Sequence, residues 1–341
     1  MGKIAFVFPG QGAQHIGMAR EFYDTCPESR EVFEIASAAA GYSLEEICFS
    51  ETLPCDSTAA VSAQGQPGSG ENCSQEKQEA DGDRVPNEKS HQTRYTQPTL
   101  LCASLAILAA VRKAGIRADM TAGLSLGEYC ALTAAGSLSV ADAVKIVCQR
   151  GIYMEEAVPT GGAMTAILSR KPLPIEEICA ATEGQVSVAN YNCPGQQVIS
   201  GEKEAVDRAA AKLLEAGASR AVPLKVSGPF HSPMLGSAGE KLAALLKDQE
   251  IQTPQLLFVS NVTGATVSEP EEIRTLLGRQ VCNSVRWQQS MEYMIAAGAD
   301  TFIEIGPGTT LTNFAKKIDR SVKALHVETP ADLEQVAAAL Q

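Results

Sequence analysis

The sequence predicts an α/β protein with a parallel sheet, interrupted by a small ferredoxin-like subdomain. Three observations carry this. Short apolar runs of strand length alternate with helical patterns up to about residue 160, and again after residue 231. Between them the order becomes strand, helix, strand, strand, helix, strand, which is the ferredoxin-like succession. The chain has 341 residues, 45% hydrophobic and 20% charged, enough for one large or two moderate globular domains.

Each element has its own signal. Residues 4–8 are apolar and end at Pro9-Gly10, as in a strand buried on both faces. Residues 17–40 have helical spacing. Residues 98–114 read as a helix with a proline in its first turn and Gly115 as its stop. Residues 120–123 form a strand, followed by helix to Gly136, and 141–157 form another helix. In the middle, 162–168, 186–190, 197–200 and 219–226 read as strands, and 175–181 and 202–216 as helices. Beyond residue 231 come a helix at 236–248, a strand at 256–260, helices at 271–280 and 287–297, and a strand at 301–305 before the turn Gly306-Pro307-Gly308. No internal repeat is evident.

Residues 54–93 are rich in Ser, Gly, Gln, Glu and Asp and poor in large apolar side chains. Such a stretch cannot bury enough surface to offset its ordering entropy, so a disordered surface insertion is expected. A regulatory or partner-binding segment is the functional alternative. Its Cys55 and Cys73 are the most exposed thiols expected.

Composition excludes several classes. A formal net charge of −12 argues against a nucleic-acid binder, which needs a basic face. Ten cysteines have no CxxC pair or regular spacing, which suggests reduced, mostly buried thiols. The four histidines share no zinc-like spacing with them, and no metal is expected. The first apolar run is too short for a signal-peptide core, and the run from Leu100 to Val111 is too short to span a bilayer. A cytoplasmic location away from membranes is expected.

Gly123-Leu124-Ser125-Leu126-Gly127 is a G-x-S-x-G elbow between a strand and a helix, the setting that exposes a nucleophilic serine on an α/β-hydrolase-like sheet. The large subdomain is then residues 1–160 and 227–341, with 161–226 inserted. A serine needs a base. His231, in the Pro/Gly-rich loop Gly228-Pro229-Phe230-His231, is the candidate, and His15 the reserve. His91 falls in the insertion, and His326 reads as structural. Arg150 suggests an acyl group bearing its own carboxylate, although spacing alone favours a solvated arginine or a structural ion pair. The glycine-rich loop around Gln11 lacks G-x-G-x-x-G and a Walker lysine, so it fits an oxyanion donor as well as a phosphate cradle.

FVFPGQGAQ at the N-terminus, GLSLGEY, Gln149-Arg150-Gly151, NYNCPGQ at 190–196, GPFHSPM at 228–234 and EIGPG at 304–308 occur in one order. In this the chain resembles the malonyl-CoA:acyl carrier protein transacylases, over nearly all of its length outside 54–93. The resemblance implies a cofactor-free ping-pong transfer of malonyl from CoA to the phosphopantetheine thiol of acyl carrier protein. Ser125 matches the nucleophile and His231 its base. The Gln280 position matches the backbone carbonyl that orients the base. The backbone N–H groups of Gln11 and Leu126 match the oxyanion hole, and Arg150 matches the partner of the malonyl carboxylate. Gln97 and Asn192 match polar residues near the pocket. Two departures stand out: Leu124 where many members have histidine, and the long insertion.

The resemblance also implies docking of an acidic carrier protein. An acidic chain needs a local basic patch for that, with Lys316, Lys317, Arg320 and Lys323 as one candidate and Arg286 as another. A solvated charge run is the plainer reading of both. A discrete monomer serving fatty-acid synthesis is expected. A freestanding partner of a polyketide synthase, an acyl-thioester hydrolase and a non-catalytic carrier-binding subunit are the alternatives.

Overall fold

The structure, a computed structural model, describes residues 2–54, 84–226 and 228–341. The chain enters on β1 (Lys3–Phe8), whose residues 5–8 are all buried. Successive side chains of a strand point to opposite faces. Phe6 and Phe8 accordingly join one core cluster, and Ala5 and Val7 another. Apolar cover on both faces is why this strand reads as a continuous apolar run.

Next come α1 (Arg20–Thr25), α2 (Pro27–Ala40) and α3 (Leu44–Phe49). The single helix expected over 17–40 is broken. Pro27 opens the second helix, and Cys26 before it is extended, with φ −118° and ψ 111°, because a proline ring disfavours helical geometry in the preceding residue. The six-residue α3 is too short for a periodic signal; the Ser43 hydroxyl caps it by accepting the Glu46 N–H.

Two short strands, β2 (Thr52–Pro54) and β3 (Arg84–Pro86), pair antiparallel. Cys55, Cys73 and most of the expected insertion lie outside the described residues. The disorder expected for 54–93 is corrected at both ends: Pro54 lies in β2, and residues 84–93 are placed as β3, a 3₁₀ turn at Glu88–His91, and the first residue of α4 (Thr93–Lys113). Buried Asn87 anchors this segment by donating to the Ile47 and Ser50 carbonyls at 2.9 and 2.8 Å. The helix therefore starts five residues before the expected 98, with Pro98 inside it.

β4 (Met120–Gly123), α5 (Gly127–Ala134) and α6 (Val140–Ala157) follow. The middle of the chain folds as β5 (Gly162–Leu168), α7 (Ile175–Ala180), β6 (Val186–Cys193), β7 (Gln196–Glu202), α8 (Lys203–Glu215) and β8 (Arg220–Pro223). Its four strands form an antiparallel sheet in the order β6-β7-β5-β8, the ferredoxin-like arrangement. It has its own core, including Ile167, Val188, Ile199, Val206 and Leu213.

The chain then returns through α9 (Gly236–Leu246), β9 (Leu257–Val259), α10 (Pro270–Gln280), α11 (Trp287–Ala296) and β10 (Ala299–Ile305). It ends with α12 (Thr310–Ile318), β11 (Lys323–Val327) and α13 (Pro330–Ala339). The main sheet is parallel throughout, in the order β11-β10-β1-β4-β9. The loops leaving β1, β4, β9 and β10 all open at its C-terminal edge, where open α/β sheets bind ligands.

Backbone packs tightly at the elbow after β4. A Cβ on Gly127 would stand 2.2 Å from the Phe8 carbonyl oxygen, and one on Gly123 would stand 1.9 Å from the Gly127 carbonyl carbon. Helix propensity alone would make Gly127→Ala stabilising by about 1 kcal/mol. The overlap with β1 backbone reverses that sign, so a thermal melt should show a lower Tm for Gly127→Ala than for the parent.

Candidate active site

Ser125 sits between β4 and α5 in a left-handed conformation, φ 54°. That region is unfavourable for a residue with a side chain and persists only where surroundings over-determine it. Here Asn261, in the loop after β9, does so. Its Oδ1 accepts the Ser125 N–H at 2.6 Å and its Nδ2 donates to the Gly123 carbonyl at 2.6 Å. Gln280 Nε2 donates to the Ser125 carbonyl at 2.9 Å. The positive end of α5 begins two residues beyond the serine.

His231 also has positive φ, 58°, and is buried. Its N–H donates to the Val281 carbonyl at 3.0 Å. Its Nδ1 lies 2.9 Å from the Gln280 carbonyl oxygen, and its Nε2 2.7 Å from Ser125 Oγ. A carbonyl can only accept, so Nδ1 carries the proton and Nε2 presents a lone pair to the serine hydroxyl. Burial, and then the charge of Arg150, push the imidazole down to about 4.

Arg150, on α6, is fully buried. Gly151 beside it lets α6 approach the start of α4, where any Cβ would meet Arg94 Cα at 2.8 Å. The guanidinium donates to Gln97 Oε1 at 2.6 Å, Ser125 Oγ at 3.1 Å and Gln280 Oε1 at 3.0 Å. All three acceptors are neutral, and Nε has no partner. Burial lowers its affinity for its proton.

These groups border one cleft of about 230 Å³ between the two subdomains. Gln11, Gln97, Ser125, Arg150 and His231 line its large-subdomain wall, and Asn192 lines the small-subdomain side. Asn192 Oδ1 is buried without a partner. Gln97 donates to Gln11 Oε1 at 3.4 Å, linking the β1 loop to the arginine. Leu124 also lines the cleft and packs on Gly10, whose Cβ would meet its Cδ2 at 2.9 Å. The Ser125 N–H is taken by Asn261, so it is not available to an oxyanion. Among the described residues, neither the Gln11 nor the Leu126 N–H has a backbone or side-chain acceptor in the turns that hold them.

Of the sequence candidates, Ser125, His231, Arg150, Gln97 and Gln280 come together directly, while Gln11, Leu126 and Asn192 border them. His15 does not join them: its Nε2 lies 2.6 Å from Glu328 Oε1. His326 pairs with Asp332 at 3.6 Å. Sequence reasoning missed Asn261 and Glu128. An acidic residue in an otherwise apolar helix was the one signal for Glu128. Asn261 had none beyond ending an apolar strand. Among the described residues no group of His, Cys, Asp and Glu is arranged to hold a metal ion, and no helix is long and apolar enough to cross a membrane.

A serine, a neutral imidazole oriented by a carbonyl and an adjacent strand-to-helix turn define a serine-dependent acyl-transfer site in geometry. Residues 5–335 match the acyl transferase domain family. The malonyl CoA-acyl carrier protein transacylase of Escherichia coli (strain K12) is 40% identical over 345 residues, covering all of both chains. The crystal structure of MCAT from Streptococcus pneumoniae is 42% identical, with TM-score 0.85, over 99% of this chain and 100% of that one. A type II PKS acyl-carrier protein in complex with its malonyl-transacylase gives 36% identity and TM-score 0.85, over 99% of each. The chain belongs to the malonyl CoA-acyl carrier protein transacylase family.

The low proton affinity of His231 has a kinetic consequence. The reactive neutral form dominates down to about pH 5 and is lost as pH falls through about 4. Modification of Ser125 by a neutral phosphonofluoridate should therefore stay flat from pH 8 to 5 and fall near 4. In Arg150→Ala that limb should move up, but remain below the ordinary histidine value near 6.5, because burial is the larger cause.

Proposed function

We propose that this protein transfers malonyl from malonyl-CoA to the phosphopantetheine thiol of an acyl carrier protein through a malonyl-Ser125 intermediate. The observation that carries this is the buried guanidinium of Arg150 beside Ser125 Oγ, with only neutral acceptors around it. A carboxylate on the acyl group satisfies that charge, and an acetyl group leaves it unpaired.

His231 Nε2 takes the Ser125 proton as Oγ attacks the thioester carbonyl. The resulting imidazolium is held by the Gln280 carbonyl at Nδ1. The backbone N–H groups of Gln11 and Leu126 receive the oxyanion, a contribution often worth about 3–4 kcal/mol of barrier. Collapse expels CoA thiolate, which takes the proton from Nε2. The phosphopantetheine thiol then attacks the malonyl ester, giving its proton to His231, and Ser125 Oγ leaves with that proton. Kinetics are ping-pong. Gln97 orients Arg150, and Asn192 meets the acyl group from the small subdomain.

A monomer is the favoured state. Cysteine usage without a disulfide pattern supports the cytoplasm. Fatty-acid synthesis is the favoured pathway; the relative bound to a type II PKS carrier keeps a polyketide carrier as the second reading.

Lys316 and Lys317, in the last turn of α12, support carrier docking near the mouth. Lys317 Nζ donates to Gln196 Oε1 at 3.4 Å, and Gln196, Thr310 and Phe314 line the cleft. The alternative cation, Arg286, lies over the Tyr191 ring at 5.6 Å. Replacing Lys316 and Lys317 by glutamate should raise the KM for carrier protein several-fold and leave the KM for malonyl-CoA nearly unchanged. An unchanged carrier KM removes this patch.

Intact-protein mass after brief mixing with malonyl-CoA should show one malonyl adduct, absent in Ser125→Ala. Arg150→Ala should lose about 10²–10⁴-fold in malonyl kcat/KM, as for breaking a buried charge pair worth about 3–5 kcal/mol. It should also narrow the gap to acetyl-CoA. Steady malonate release without an adduct or transfer would mean a hydrolase.

A further inference from the structure

The scheme above leaves a buried carboxylate at the site unused. Glu128 stands in the first turn of α5, three residues beyond the nucleophile, and is 1% exposed. Its Oε1 accepts the Asn261 backbone N–H at 3.1 Å, and its Oε2 accepts from Gln280 Nε2. We propose that Glu128 is a positioning residue: its acceptor-only carboxylate fixes which way the Gln280 amide faces, and through it aims Arg150 at the substrate carboxylate. This rests on the clamp reading of Arg150 given above.

Hydrogen-bond direction sets the orientation of the Gln280 amide. Gln280 Nε2 has two hydrogens; one goes to Glu128 and the other to the Ser125 carbonyl at 2.9 Å. Its Oε1 is thereby left to accept from Arg150 at 3.0 Å. Turned over, the amide would set its oxygen against two acceptors and its NH₂ against the guanidinium. A charged carboxylate cannot donate, so it permits only the observed orientation. A neutral amide at position 128 has one acceptor and one donor. With its oxygen on the Asn261 N–H, its NH₂ meets the NH₂ of Gln280, so the observed form is left with only its Ser125 and Arg150 contacts and the turned-over form is no longer excluded on this side. In that form Arg150 loses one of its three anchors.

The same logic extends to protonation. Burial raises the Glu128 carboxyl to about 7, opposed by hydrogen bonds from Asn261, Gln280 and Ser260 and by the charge of Arg150. Arg150 is the charged group that faces it among the described residues; Ser260, Asn261 and Gln280 are neutral. A protonated Glu128 carries a hydrogen that neither the Asn261 N–H nor the Gln280 NH₂ can accept; unless Ser260 Oγ takes it, that hydrogen points at Gln280. There it also admits the turned-over Gln280.

The test compares kcat/KM for malonyl-CoA and acetyl-CoA in the parent, Glu128→Gln and Glu128→Asp. Glu128→Gln should reduce the malonyl-over-acetyl ratio at least about tenfold. Glu128→Asp, shorter but still acceptor-only, should reduce it less. A packing role gives the reverse order, since glutamine is the closer fit in shape. An unchanged ratio in Glu128→Gln, or a larger loss in Glu128→Asp, overturns the proposal. If the variants do not fold, the ratio is followed in the unaltered protein from pH 8 to 5.5. It should fall with a midpoint near neutral while phosphonofluoridate labelling of Ser125 holds constant, because His231 titrates lower. A flat ratio overturns the proposal. A parent that does not discriminate malonyl from acetyl sinks the clamp reading instead, which is a separate result.

Discussion

The strained backbone of Ser125 is the constraint on which the rest of the site depends. A side chain at φ 54° costs on the order of 1–3 kcal/mol. The cost is met by contacts from three separate parts of the chain. Asn261 holds the serine's N–H, Gln280 holds its carbonyl, and Gly127 presses α5 onto the Phe8 carbonyl of β1. Each of these contacts joins the elbow to a segment distant in sequence. The nucleophile is therefore presented only when the parallel sheet is assembled, with β1, β4 and the β9 loop in register. The left-handed backbone of His231 follows the same pattern: its amide is held by Val281 and its ring by Gln280. One segment, residues 280–281, thus fixes the base and steadies the nucleophile together.

The site's charges are arranged with equal economy. Arg150 is buried among neutral oxygens rather than in an ion pair. A carboxylate in direct contact would neutralise it and compete with substrate. Glu128 faces it only across Gln280, close enough to moderate the burial cost and too far to occupy the fork. A second buried acid plays a purely architectural part. Glu304, at the end of β10, accepts the N–H groups of Leu311 and Thr312 at 3.0 and 2.7 Å. It seats the first turn of α12, the helix that brings Thr310 and Phe314 to the cleft.

Much of this was legible in the sequence, for physical reasons. The buried strands β1 and β4 announce themselves because both faces of the sheet are covered. The elbow glycines are visible because their Cα atoms touch neighbouring backbone. The features that escaped reading depend on the third dimension. Half-exposed β11 lacks an apolar run. The break at Cys26 hides inside a continuous apolar period and shows only through Pro27. Residues 84–93 look like their polar neighbours, yet buried Asn87 anchors them to α3. Arg150 illustrates the limit best. Its helix is ordinary and amphipathic, so periodicity gives a solvated arginine as readily as a clamp. Only the approach of α4, allowed by Gly151, turns it into a buried cation aimed at Ser125.

The low proton affinity of His231 at first looks like a handicap, since a weak base removes the serine proton less readily. Its second cause is the Arg150 charge, and that cause is removable. An acyl group carrying a carboxylate neutralises the guanidinium and raises the basicity of the imidazole beside it. An acetyl group leaves the cation unpaired and the base weak. Under the malonyl-transfer reading, discrimination then enters twice, once in binding the carboxylate and once in the strength of the base that activates Ser125. The same coupling persists in the intermediate. While malonyl remains on Ser125, its carboxylate keeps Arg150 satisfied and His231 basic enough to accept the carrier thiol's proton. Loss of the acyl group returns the arginine to its neutral acceptors, and the base to its resting state.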